Sequence, residues 1–273
     1  MAQNQRRLFC FAGAMALFLM SGSLSFAYIP PSQFILKTWV NRHVGPKAMR
    51  LKLTVTGYKD KKPTNLSFKE VAMVNLDTGV FKSAALNEAD HKLFSTNMKL
   101  PAMSALTQLL FNKNLPDVAE ALKKQGIPIR TEAELLAMKT EEERLGSEVQ
   151  SLSRSNGLPA WVIGKEAQLW FQKDAFQPLV FKAPSEKDGQ TYEYRMEGFG
   201  ENFPYPRTLT VLDKSGEILL ESRLQDLTVV SEAMITKGIS GKVEDENSES
   251  SSGEIQSGGA LKELIQTYYN VVR

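Results

Sequence analysis

The stretch Thr191-Tyr192-Glu193-Tyr194-Arg195-Met196-Glu197 alternates without a break: Tyr192, Tyr194 and Met196 fall on one side, and Thr191, Glu193, Arg195 and Glu197 on the other. A period of two is that of an extended chain, and an apolar row opposite a polar row predicts an antiparallel strand with one buried and one wet face. The same period runs outward from it, predicting strands over 148–154, 160–164, 167–172, 178–182, 207–212 and 217–230. Asn156-Gly157 between the first two is a hairpin signal, because both residues tolerate the positive φ of a tight turn. Lys187-Asp188-Gly189 and Lys214-Ser215-Gly216 mark further turns. Nearer the start, Leu51, Leu53 and Val55 alternate with Lys52, Thr54 and Thr56 over 48–57, and strands over 66–75 and 80–86 flank the turn Asp77-Thr78-Gly79.

Between these two sheet regions the period changes to that of a helix. Pro101 opens a run in which Met103, Leu106, Leu109, Leu110 and Phe111 make one apolar face, and Pro116 opens a second that Gly126 can close. Thr131 and Glu134 have capping-box spacing at the start of a third. Ahead of the first strand, Phe34, Ile35, Trp39 and Val40 give a helix over 33–42 with Ser32 as its expected cap. Residues 240–259 hold almost nothing apolar and read as a flexible linker. From 260 to 273 Leu261, Leu264, Ile265 and Tyr268 restore a helical pattern, for a short helix that either docks on the domain or recognises a partner.

Residues 1–27 have the layout of a cleavable export signal: Arg6 and Arg7, an apolar run over 8–20, then small residues ending at Ala27. Thirteen apolar residues reach about 20 Å as a helix, short of the ~30 Å hydrocarbon core, which disfavours an anchor. The expected mature chain, from residue 28, is periplasmic and loses Cys10, the only cysteine of the 273 residues. Thiol catalysis and internal disulfides are thereby excluded. The composition, 42% hydrophobic and 23% charged, is that of a globular protein. The formal charge of +2 hides a polarity, since residues 28–100 carry a net +7. Its lysines alternate with apolar residues, which suits the wet face of a sheet, or a surface for anionic headgroups or an acidic partner. No aromatics are interleaved with them, which argues against nucleic acid.

Catalytic patterns are missing. There is no G-x-S-x-G; His43 and His91 lack a second imidazole at metal-ligand spacing; Gly198-Phe199-Gly200 lacks the third glycine of a dinucleotide site. Glu141-Glu142-Glu143 point about 100° apart on a helix and do not converge on a metal. No cofactor or metal is expected, and the chain reads as non-enzymatic.

The order of elements, together with Ala160-Trp161-Val162-Ile163-Gly164, the segment from Gln168-Leu169-Trp170-Phe171 to Pro178-Leu179, Phe203-Pro204 to Arg207 and Leu224-Gln225-Asp226-Leu227, resembles the outer-membrane lipoprotein carrier (LolA-like) superfamily, whose relatives include RseB. The resemblance spans residues 28–235. It implies an α+β fold: an incomplete, strongly curved antiparallel β half-barrel with helices covering its concave face, here with a helical insert at 101–145 inside a domain of 28–239. It also implies an apolar cavity between sheet and helices for a lipid, an acyl chain or a lipoprotein. The Arg-Pro segment of dedicated carriers is replaced here by Val74 to Gly79, so no latching arginine is carried over. The expected cavity lining is Leu106, Leu109 and Leu110 from the insert with Trp161, Phe171, Tyr192, Tyr194 and Met196 from the sheet; apolar residues at these periods equally suit plain core. Two other readings stand beside a carrier: an envelope interaction or sensor module that uses the basic third and the tail helix, and a hydrolase with a carboxylate pair.

Overall fold

The computed structural model describes residues 30–43, 47–130, 132–140, 150–185, 187–200, 205–239 and 258–273. The expected export signal, residues 240–257 of the linker expected over 240–259 and Thr131 of the expected capping box lie outside them. Eleven strands form one antiparallel sheet: β1 (Ala48–Lys59), β2 (Lys62–Asn75), β3 (Val80–Leu86), β4 (Lys92–Lys99), β5 (Gln150–Ser155), β6 (Leu158–Ile163), β7 (Gln168–Gln172), β8 (Pro178–Pro184), β9 (Thr191–Glu197), β10 (Thr208–Leu212) and β11 (Ile218–Val229). The helices are α1 (Ser32–Val40), α2 (Ala105–Phe111), α3 (Leu115–Lys124), α4 (Glu132–Ala137), α5 (Glu232–Lys237) and α6 (Gly259–Val271).

The strand order β4-β3-β2-β1-β11-β10-β9-β8-β7-β6-β5 is two meanders sewn together by the β1–β11 pair, where Leu51 faces Leu227 and Val55 faces Ser222. Edges β4 and β5 do not pair with each other, so the sheet stays open, and α2 to α4 lie between them in the chain. Asn156 and Gly157 take φ of 48° and 80° in a two-residue hairpin that pairs Ser155 with Leu158, the geometry the Asn-Gly signal requires. At the 74–79 corner the Asn75 side-chain oxygen accepts from the Asp77 and Thr78 amides, an Asx turn that Gly79 completes at φ 67°.

Period two sorts the side chains. Along β1, Met49, Leu51, Leu53 and Val55 are buried while Lys52 is exposed; along β9 Tyr192, Tyr194 and Met196 are buried. These inner-face residues share one core with α1, α2, α3 and α6. The sheet curls around α6. Tyr269 of that helix accepts a hydrogen bond from Ser83 of β3, and the Tyr194 hydroxyl of β9 donates to the Val271 carbonyl at 2.7 Å. β3 and β9 are five strand spacings apart in the sheet, about 24 Å if it were flat, against a helix diameter of about 10–12 Å.

Several local expectations shift. Pro31, not Ser32, occupies the N-cap of α1, and Ser32 is the buried first residue of the helix. Phe34, expected on the apolar face of that helix, is exposed. Pro101 sits in a short 3-10 turn, and α2 starts only at Ala105, because Met103 and Ser104 are extended and the Ser104 side chain caps the Thr107 amide. Strand β4 and helix α5 are additions: β4 is an edge strand whose burial does not alternate, and α5 is only 6 residues long.

Candidate functional site

Phe68, Glu70, Ala72 and Val74 share the inward parity of β2, which places a carboxylate among apolar side chains facing the core. Glu70 is fully buried, between Leu53 of β1 and Ala85 of β3. A charge there needs a partner, and α6 supplies it from its C-terminal side: Arg273 Nη2 and Nε donate to the two Glu70 oxygens at 2.6 and 3.1 Å, and the Tyr268 hydroxyl donates to Oε2 at 2.5 Å. The guanidinium lies over the rings of Phe81, Phe111 and Tyr268, with centroids 5.3, 5.9 and 5.5 Å away. Its Nη1 and the hydroxyl of buried Tyr205, which stacks on Phe111, find no partner within hydrogen-bond geometry among the described residues. Burial, the largest single influence, works against the arginine's charge, but the Glu70 carboxylate together with Tyr268 and Tyr205 holds the Arg273 pKa well above its ordinary value.

The end of α6 is held by more than this pair. Ser104 Oγ and Thr107 Oγ1 donate to the Val272 carbonyl, each at 2.7 Å, and the Ser104 amide donates to the Arg273 carbonyl at 3.0 Å. Lys187, on the β8–β9 turn, donates to the Tyr269 carbonyl at 3.0 Å and to Asn270 Oδ1, capping the negative end of the helix. Partial burial lowers its pKa.

Beside this anchored end lies a cavity of about 240 Å³. Phe94 and Met98 of β4, Met103 and Leu106 at the start of the helical insert, Phe181 of β8 and Tyr194 of β9 form its apolar wall, and Tyr269 and Val271 of α6 close one side. Ring contacts of Phe94 with Tyr269 and of Phe181 with Tyr194 line the same region. The chemistry on offer is a largely apolar enclosure with two cationic residues, Lys187 and Arg273, in its lining. Among the described residues, no three His, Cys, Asp or Glu side chains converge as a metal set, and no helix is long and apolar enough to cross a membrane.

All eight lining residues named from the sequence, Leu106, Leu109, Leu110, Trp161, Phe171, Tyr192, Tyr194 and Met196, are buried in the one core. Leu106 and Tyr194 reach the cavity wall. Met196 borders a different depression near Asn156, and the other five lie away from the cavity wall. The wall residues of β4 were out of reach of pattern reading because that edge strand does not alternate. Glu70 did leave a signal, an acid at inward parity between Phe68 and Ala72, but its partner lies 203 residues away. Of the basic first third, Arg50, Lys52 and Lys69 are on the opposite face of the sheet, around a groove of about 610 Å³ in which Lys69 pairs with Asp90.

No protein-family model matches the chain, and no curated protein matches it. Solved structures do align with it. A LolA superfamily protein from Nitrosomonas europaea shares 13% identity over 74% of this chain and 95% of its own, with a TM-score of 0.43. A domain from Vibrio parahaemolyticus assigned to outer-membrane lipoprotein sorting shares 10% over 75% and 96%, at 0.44. The MucA/MucB complex of Pseudomonas aeruginosa gives 11% over 74% of this chain and 59% of that one, at 0.32. The arrangement itself, an open antiparallel sheet with helices against its inner face, is an α+β fold.

The buried tyrosines give a pH dependence. Burial and the Asp188 carboxylate push Tyr192 up to about 12, and burial raises Tyr194, Tyr205, Tyr268 and Tyr269 as well. In the unfolded chain these phenols ionise near pH ~10. Between about 10 and 12 the folded state therefore holds more protons, so stability that is complete below pH ~10 falls as pH rises through this window. Ultraviolet difference titration should show five of the seven tyrosines ionising late, together with unfolding. Ionisation of all seven near pH ~10 in a folded protein would contradict their burial.

Proposed function

We propose that the protein is a non-enzymatic periplasmic binding protein that takes an acyl chain of a lipid or lipoprotein against the inner face of its sheet. The observation that carries this reading is the aromatic and aliphatic cavity between β4, β8, β9, the start of α2 and the end of α6. Its wall is mostly apolar, and of its polar groups Ser104, Lys187 and Tyr194 already hydrogen-bond to the end of α6. Each methylene moved from water into such a space gains about 0.8 kcal/mol, so eight are worth about 6.4 kcal/mol, a dissociation constant of about 20 μM.

A fluorescent polyene fatty acid titrated into the exported chain should bind saturably. Ala102, an exposed residue on the cavity wall, can be enlarged without entering the core. Ala102→Trp should weaken binding about tenfold while leaving thermal stability within about 0.5 kcal/mol of wild type. Absence of saturable binding would overturn the function, and an unchanged affinity in Ala102→Trp would overturn the location.

A further inference from the structure

Helix α6 is attached to the rest of the domain unevenly. From Gly258 to Thr267, no side chain outside the helix hydrogen-bonds to it among the described residues, and its contacts there are apolar, as where Leu264 packs on Gly57. Over Tyr268 to Arg273 the protein instead presents a set of polar groups from five separate places: Glu70 of β2, Ser83 of β3, Ser104 and Thr107 at the start of α2, Tyr194 of β9 and Lys187 of the β8–β9 turn. Backbone carbonyls of the segment are read at Tyr269, Val271 and Val272, and its side chains at Tyr268, Tyr269 and Arg273. This is how a receptor holds a peptide, with main-chain bonds for affinity and a buried charge for selectivity. The sequence between Ile239 and Gly258 adds nothing apolar except Val243 and Ile255, and carries five acids against one lysine. Its composition is that of a tether.

We propose that the inner face of the sheet is a receptor surface for an amphipathic helix that ends in an adjacent aromatic pair followed by arginine four residues on, and that α6 is its resident occupant, held in cis. A helix of the same chemistry in trans is the partner the surface fits. Glu70 sets the selectivity, because a helix without the cation would leave that carboxylate buried and unpaired. Attachment in the same chain makes α6 a strong competitor, since a covalently linked occupant has an effective concentration in the millimolar range. A free helix at micromolar concentration therefore gains access only when the tether is cut or α6 is drawn away.

The test uses the full exported chain with a specific protease site placed within 240–257 and cut after purification. A fluorescently labelled synthetic peptide of residues 258–273 should bind the cut protein and replace its fragment, and should not bind the uncut protein at the same micromolar concentration. The same peptide carrying Arg273→Met should bind the cut protein about a hundredfold more weakly. Equal binding to cut and uncut protein would place the peptide elsewhere on the surface; equal affinity of the Arg273→Met peptide would remove Glu70 as the selectivity element; failure of the cut fragment to exchange would make α6 ordinary core. Each of these overturns the proposal. No acyl probe enters the experiment, so its outcome is independent of the acyl-binding reading above.

Discussion

Glu70→Ala is expected to lower the unfolding free energy by about 3–5 kcal/mol, because it leaves the Arg273 guanidinium buried among Phe81, Phe111 and Tyr268 with no counter-charge. For a domain of this size that is a fall of about 10 °C in the thermal midpoint. The side chains of the pair are 2% and 0% exposed, so water cannot screen or replace the lost partner. Arg273→Met alone should cost a similar amount, for the converse reason. Combining Glu70→Leu with Arg273→Met removes both charges and fills both volumes with apolar atoms, and should recover most of the loss. Calorimetry on the four proteins decides it: a single-variant cost below about 1 kcal/mol would mean that the pair is solvated in solution.

Phe111→Ala is expected to cost about 3–5 kcal/mol without involving any charge of its own. Phe111 is fully buried at the end of α2, where its ring meets Phe81 at 5.8 Å and stacks on Tyr205 at 5.3 Å. It therefore joins the inner face of β3, the helical insert and Tyr205 just ahead of β10. Truncation leaves a cavity that a sheet held by ladder hydrogen bonds on both sides cannot collapse to fill. Phe111→Leu should keep most of the volume and lose about half as much. Denaturant midpoints at constant slope would show this order; a Phe111→Ala cost under about 1 kcal/mol would mean that the core repacks freely around α2.

How much of this could be read from the sequence follows from which rules were local. Strands β1 and β9 were legible because their alternation is set by a single wet and a single dry face, and the Asn156-Gly157 hairpin because only a few residue types accept those backbone angles. β4 was not, because an edge strand beside a cavity exposes both of its faces in part. The start of α2 was misplaced at Pro101, where proline fits a 3-10 turn as well as a first helical turn; the true cap, Ser104, announces itself only through the Thr107 amide. The apolar pattern of the last helix was visible in Leu264, Ile265 and Tyr268, but its place inside the curled sheet was not. That location depends on an ion pair between residues 70 and 273, and periodicity carries no information about contacts so far apart in the chain. For the same reason Trp161 and Phe171 could be assigned to the buried side of the sheet but not to a particular part of it; they pack near one edge, away from the cavity that Leu106 and Tyr194 reach.

Polar geometry and apolar geometry divide the inner face between them. Glu70, Ser83, Ser104, Thr107 and Tyr194 hold the end of α6, while Phe94, Met98, Met103, Leu106 and Phe181 leave an apolar space next to it. The proposed binding role rests on that second group. Native mass spectrometry of the chain exported to the periplasm and purified without detergent tests it most directly. The account predicts a population heavier than the polypeptide by the mass of a lipid, diminished in Ala102→Trp. A spectrum showing the bare polypeptide alone, unchanged after incubation with excess fatty acid or phospholipid, would contradict it.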